Sequence, residues 1–257
     1  MLLSIEGLVL LCLGFFVVST LYSSVGFGGG SSYLALLTLV LVNFFAIRSI
    51  ALVCNLVVVS GSTFLYLKHG HTRFKDFLPF VITSIPMAFL GASFRLKEEV
   101  FFIILGIALI ISSVSLLWQT SGIKWNEPTK TYPSSLSYVI GAVIGLLSGL
   151  VGIGGGIFLA PILNHINWNK SVKIAALASF FILVNSISGL VGLLIAGTIE
   201  LPWVETLALG VTVLIGGQLG VRLSLKKLSA NSIKRITAIL VLIVGLRVLL
   251  VNGLQLL

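Results

Sequence analysis

The chain reads as an all-α membrane protein made of two inverted-topology repeats, each a glycine-broken helical hairpin followed by three transmembrane helices. Three observations carry that expectation. Of its 257 residues, 58% are hydrophobic and only 9% charged, against roughly 25% charged in an ordinary globular domain. Four apolar runs, at 8–25, 100–118, 175–196 and 236–251, hold almost no ionisable side chain. The first three are long enough to cross about 30 Å of hydrocarbon at about 1.5 Å per residue; the last is shorter and has Arg247 near its end. Finally, Val25-Gly26-Phe27-Gly28-Gly29-Gly30 returns as Val151-Gly152-Ile153-Gly154-Gly155-Gly156, 126 residues further on, an internal repeat of about half the chain. A β-barrel needs short stretches that alternate apolar and polar, and these runs are apolar on every face. The spanning elements are therefore helices.

Repeat one covers residues 1–119. Residues 1–7 contain no Lys or Arg and the first apolar run ends in the glycine turn, so it reads as a retained helix rather than a secretory signal. The hairpin tip is expected at 26–30, and its second arm is expected to end near Phe44. The bend Ala46-Ile47-Arg48 then opens a long apolar helix with Asn55 and Ser60, followed by helices at 76–95 and 99–119. The polar stretch 120–134, with Pro128 and Pro133, is the linker between the halves. Repeat two covers 135–257, with its hairpin tip at 152–156. The arm from Gly156 to Ile166 is about 11 residues and reaches only about 17 Å, so a half-helix ending near mid-membrane is expected there. The bend Ser171-Val172-Lys173 opens the helix bearing Asn185, and helices at 202–222 and 232–252 complete one integrated transmembrane domain.

The distribution of charge gives sidedness. Lys68, Arg73 and Lys75 crowd the segment 68–76, whereas its counterpart 197–205 has Glu200 and Glu205 and no base. One loop later the asymmetry reverses. The segment 95–99 is balanced, while 222–235 holds Arg222, Lys226, Lys227, Lys234 and Arg235. Equivalent loops thus face opposite sides, which is the mark of an inverted repeat. Basic loops in the cytoplasm put twelve of the sixteen Lys and Arg inside, leave Arg48, Arg95, Lys97 and Arg247 outside, and place the linker inside and both termini outside. All four Trp fall at expected helix ends or in loops, as interfacial anchors should. The net charge of +9 is spread over short segments with no basic tail or aromatic-interleaved groove, so nucleic acid is not an expected partner. Cys12 and Cys54 lie inside apolar helices, and neither a disulfide nor a metal site is expected of them.

A helix broken inside the bilayer leaves up to four backbone N–H groups that only protein or a water-filled cavity can satisfy. Successive glycines let a ligand reach the main chain, and a helix N-terminus carries about half a positive charge. Two such termini related by inverted symmetry would converge on one anion. The expected substrate-binding groups are therefore Gly28, Gly29, Gly30, Ser31 and Ser32 at the first turn and Gly154, Gly155 and Gly156 at the second. Asn55, Asn185, Ser188 and Gln218 join them as the polar side chains of the apolar helices. For each of these side chains an interhelical hydrogen bond is the competing explanation. Gly141, Gly145 and Gly149, four residues apart, are read as close helix packing. Arg48 and Lys173 read as a pair attracting anions to opposite mouths, or as snorkelling anchors. No Asp or Glu lies mid-helix, which argues against a cation pathway and a carboxylate proton relay. His69, His71 and His165 read as solvated histidines, and no catalytic constellation is present, so neither an enzyme nor a cofactor is expected.

Two apolar halves, each with a Gly-x-Gly-Gly-Gly turn, the second running on as Ile157-Phe158-Leu159-Ala160-Pro161, resemble the sulfite exporter TauE/SafE family over essentially the whole chain. The first turn departs from the pattern, with Ser31-Ser32-Tyr33 and no proline. The resemblance implies a multi-pass transporter of the bacterial inner membrane for small sulfur-containing oxyanions such as sulfite or an organosulfonate. Its partners would be that anion and the lipid bilayer, with a homo-oligomer left open. A channel-like anion pore, or a membrane scaffold in which the glycines only pack helices, are the alternatives.

Overall fold

The structure, a computed structural model, describes residues 4–24, 28–41, 43–68, 74–120, 132–224 and 230–254. Gly26 and Phe27 of the first turn, His69 and His71, the linker from 121 to 131 with Trp125, and the bases Lys226 and Lys227 lie outside these.

The first half contains α1 (Ile5–Ser24), α2 (Gly30–Leu37), α3 (Phe44–Lys68), α4 (Phe74–Ser93) and α5 (Glu98–Thr120). The second contains α6 (Ser134–Val151), α7 (Gly156–His165), α8 (Ser171–Ile195), α9 (Trp203–Ser224) and α10 (Ala230–Arg247), which runs on as a π-helix over Val248–Gly253. No strand occurs among the described residues. Among the described residues, seven helices, α1, α3, α4, α5, α6, α8 and α9, are long and apolar enough to cross a membrane. Their outer faces leave Leu13, Ile111, Val143 and Leu207 more than half exposed, while Ser19, Ser84, Asn55, Ser179 and Asn185 are buried. Apolar outside and polar inside is the arrangement expected when the solvent around the molecule is lipid. The chain is an all-α, multi-pass membrane protein.

α2 and α7 have 8 and 10 residues, about 12 and 15 Å, so neither crosses the bilayer. The arm after Gly30 was expected to be the longer of the two and to end near Phe44; it is the shorter. Thr38 turns its hydroxyl back onto the Ala35 carbonyl at 2.8 Å, and Asn43 caps a new helix by accepting the amides of Phe45 (3.0 Å) and Ala46 (3.4 Å). α3 consequently opens at Phe44 rather than at the Ala46 bend.

Exchanging the two halves maps the packing onto itself. α4 packs on α6 and α8, as α9 packs on α1 and α3; α3 packs on α8, and α5 on α10. α3 and α8 run in opposite directions. Near the start of α3, the Glu200 amide beyond the end of α8 donates to Ser49 Oγ at 3.2 Å. At the other end, Lys173 in the first turn of α8 pairs with Asp76 in the first turn of α4, just beyond the end of α3. α5 and α10 are likewise antiparallel, with Gly106 against Leu249 and Arg235 Nη2 donating to the Thr120 carbonyl at 2.7 Å.

Glycines set the closest approaches. A Cβ at Gly141 or Gly149 would fall on the carbonyl of Phe80 or Ala88, and one at Gly145 would lie 2.6 Å from Ser84 Cα, so the α4–α6 seam is backbone against backbone. In the matching α1–α9 seam the small residues stand on α9 instead, where Gly216 and Gly220 meet Phe16, Ser19 and Thr20.

Candidate functional site

The two glycine turns meet. α2 starts after Gly29 (φ 84°) and α7 after Gly155 (φ 84°), both left-handed, and neither has a side-chain cap. In the second turn Gly152 and Gly154 also have φ 81°, a backbone that an L side chain enters only with strain. Gly156 is needed for a different reason, because a Cβ there would collide with Ile182. At the first turn a Cβ on Gly30 would collide with the Asn55 amide and come 2.6 Å from the Ile153 carbonyl oxygen of the second turn. The half-helix N-termini are therefore in contact, each with the about half positive charge of a helix start.

Asn55 stands between them. It is the twelfth residue of the 25-residue α3, at mid-length. Its Nδ2 donates to the Ile153 carbonyl at 3.0 Å, and its buried Oδ1 has no partner among the described residues. Aligning α3 with the equally long α8 pairs Asn55 with Ile182, the twelfth residue there, and the contacts agree. Gly30 faces Asn55 and Gly28 faces Val59, as Gly156 faces Ile182 and Gly154 faces both Ile182 and Ser186. Asn185 thus lies about one helical turn beyond the position equivalent to Asn55. Asn185 is buried, with neither side-chain polar atom partnered among the described residues.

Two serines escaped the sequence analysis. Ser186 Oγ lies against Gly154 and the Ser148 side chain against Gly155, and both hydroxyls are buried without a partner among the described residues. Ser186 was legible in principle, as the residue one turn beyond Ile182 on the face turned to the glycines. Ser148 was not, because its approach to Gly155 depends on how the hairpin folds back.

The family model for the sulfite exporter TauE/SafE matches residues 10–248. The chain belongs to the TauE/SafE family. Among its relatives, the probable membrane transporter protein y4hK of Sinorhizobium fredii is 33% identical over 245 residues, 93% of this chain and 97% of the relative. No solved structure gives a significant match. This TauE/SafE protein is a membrane transporter and not an enzyme.

Within the TauE/SafE chain the remaining expected residues separate. Ser31 and Ser32, both buried on α2, engage the Tyr22 hydroxyl at 3.5 and 2.9 Å. Ser188 Oγ donates to the Ile85 carbonyl at 2.6 Å, an α8–α4 contact. Gln218 is exposed and lies beside Gly61, more than a turn past Asn55. Lys173 is bound to Asp76 and stacks over Trp168. Arg48 differs most from expectation: with no exposed surface, it neither lines an open mouth nor snorkels. Glu205, at the start of α9, is also buried, so one carboxylate is shielded although none is mid-helix. A cavity of about 250 Å³ between α5 and α7, with Trp118, Pro161 and His165 in its wall, is mostly apolar.

Proposed function

We propose that this transporter exports small oxyanions, sulfite or an organosulfonate, across the bacterial inner membrane, and binds them near the bilayer midplane between the two glycine turns. The observation that carries this is the meeting of two half-helix N-termini at mid-length of α3 and α8, around the Asn55 amide. Two helix starts aimed at one volume favour negative charge. The unpartnered hydroxyls of Ser148 and Ser186 lie against the second turn, where as donors they suit sulfur-bound oxygens. The description of the matching family, sulfite exporter, supports both the chemistry and the direction. The repeats are arranged with the 68–76 and 222–235 loops and the linker in the cytoplasm and both termini outside.

No acid lies mid-helix, so the simplest machine is driven by the membrane potential. An inside-negative potential of about 150 mV favours export of a monoanion by about 3.5 kcal/mol, nearly 400-fold in concentration ratio. The test is efflux of methanesulfonate, a permanent monoanion, from liposomes holding the pure protein. An inside-negative potential should accelerate efflux without a pH gradient. Efflux that ignores voltage and follows only a proton gradient overturns the electrogenic mechanism and turns attention to the buried Glu205. Absence of protein-dependent flux of both sulfite and methanesulfonate overturns the substrate assignment.

A further inference from the structure

We propose that Arg48 is the counter-charge of the transported anion, a specificity-determining guanidinium buried beside the second glycine turn; this rests on the anion-transport function proposed above. Arg48 is the fifth residue of α3 and the largest fully buried side chain among the described residues. Its Nη2 donates to the Gly149 carbonyl at 2.9 Å and the Ala92 carbonyl at 3.4 Å. Those carbonyls belong to the last turns of α6 and α4, where helix C-termini leave acceptors free and carry partial negative charge. The Phe101 ring lies 5.9 Å from the guanidinium carbon. This packing holds the group in place through one nitrogen.

It leaves the others idle. Nε and Nη1 are buried with no partner among the described residues, which amounts to three unused N–H donors. No carboxylate among the described residues pairs with Arg48, and a buried cation without a counter-ion is a costly arrangement to keep. The position is right for a ligand at the turns. Asn55 is seven residues further along α3, two helical turns on the same face. Asn55 bonds the Ile153 carbonyl, and a Cβ on Gly152 would lie 3.4 Å from Arg48 Cβ. Both residues therefore border the α6–α7 break, Arg48 on the side of the start of α3.

Among the described residues, Arg48 has no buried cationic counterpart in the second half. Aligning α8 with α3 puts Ala175 where Arg48 stands, and the nearby Lys173 is already paired with Asp76. One fixed positive charge together with two helix starts matches a small monoanion such as a sulfonate. A neutral isostere is left with the desolvation cost of an uncompensated guanidinium.

The experiment compares wild type with Arg48→Gln, Arg48→Met and Arg48→Lys, by methanesulfonate efflux from proteoliposomes and by thermal unfolding with and without methanesulfonate. Wild type should melt higher in the anion, because a ligand that binds only the folded state stabilises it. The neutral variants should lose that rise, and their KM should increase at least about tenfold, as loss of a buried charge partner implies. Arg48→Lys, which can still reach a helix-end carbonyl but offers fewer donors at a shorter reach, should keep the rise with KM up about three- to tenfold. Neutral variants with the wild-type KM and the wild-type melting response overturn the proposal and leave Arg48 as a cap for α4 and α6. If neither neutral variant folds, Arg48→Lys decides, and an unchanged KM overturns it. A wild type that neither transports nor responds to sulfite or methanesulfonate refutes the transport proposal itself, a result separate from any variant.

Discussion

Asn55 is the residue at which the two halves meet, since its amide bonds the backbone of the second turn and blocks any side chain at Gly30 of the first. Replacing it with Leu removes the bridging donor and fills the space between the turns, and methanesulfonate flux should fall at least about tenfold, as for loss of a buried hydrogen-bonding group. Ser188→Ala is the contrast. It removes an interhelical hydrogen bond worth about 0.6–2 kcal/mol, so the melting temperature should drop slightly while flux stays near wild type. A second pair separates backbone strain from site geometry. Gly154→Ala and Gly197→Ala both place an L residue at positive φ, at a cost of about 1–3 kcal/mol each. The Gly154 Cβ would come 2.7 Å from Ile182 Cγ2, whereas the Gly197 Cβ would meet only Arg95 Nη2 at 3.6 Å. Flux measured on both should collapse in Gly154→Ala and survive in Gly197→Ala; equal loss would mean that strain, not the turn, is being read.

At the scale of elements, the glycines have two separate duties. In α6 they are spaced every four residues along one face and press directly on the α4 backbone, while at the hairpin tips they break the helix. Because lipid offers little drive for helices to associate beyond packing and hydrogen bonds, the α4–α6 seam should be sensitive to volume. Gly145→Leu, whose Cβ would lie 2.6 Å from Ser84 Cα, should lower the melting temperature by the equivalent of about 1–3 kcal/mol. Gly210→Leu, with nothing within 4 Å of its Cβ, should leave it unchanged. Similar melting for the two variants would remove the seam from the account of stability.

Across the whole molecule, α3 runs antiparallel to α8 and α5 to α10, and the proposed inverted arrangement makes a prediction about sidedness. In a background lacking Cys12 and Cys54, a cysteine replacing Phe74 at the start of α4 should react with an impermeant thiol reagent only from the cytoplasm. One replacing Leu201, just before α9, should react only from outside. Labelling of both from one side would contradict the inverted arrangement. The basic residues support the proposed orientation, because Lys75 adjoins the first of these positions and no Lys or Arg lies within 197–205 around the second.

Composition and hydrophobic run length were enough to establish a helical membrane protein and most of its helix boundaries to within a few residues, the end of α2 at Leu37 excepted. These are properties of hydrophobic run length and of a backbone that cannot stay helical through Gly-x-Gly-Gly-Gly. Family resemblance was legible for the same reason. Tertiary structure decided what the polar side chains do. Whether Ser188 packs or binds depends on the Ile85 carbonyl of another helix, and Arg48 is buried because the ends of α4 and α6 converge on it. The equivalence of Asn55 with Ile182 rather than Asn185 follows from which residues the glycine turns meet, Gly30 against Asn55 and Gly156 against Ile182. Charge and length are summed along the chain and survive in one dimension, whereas a hydrogen-bond partner dozens of residues away exists only once the helices have packed.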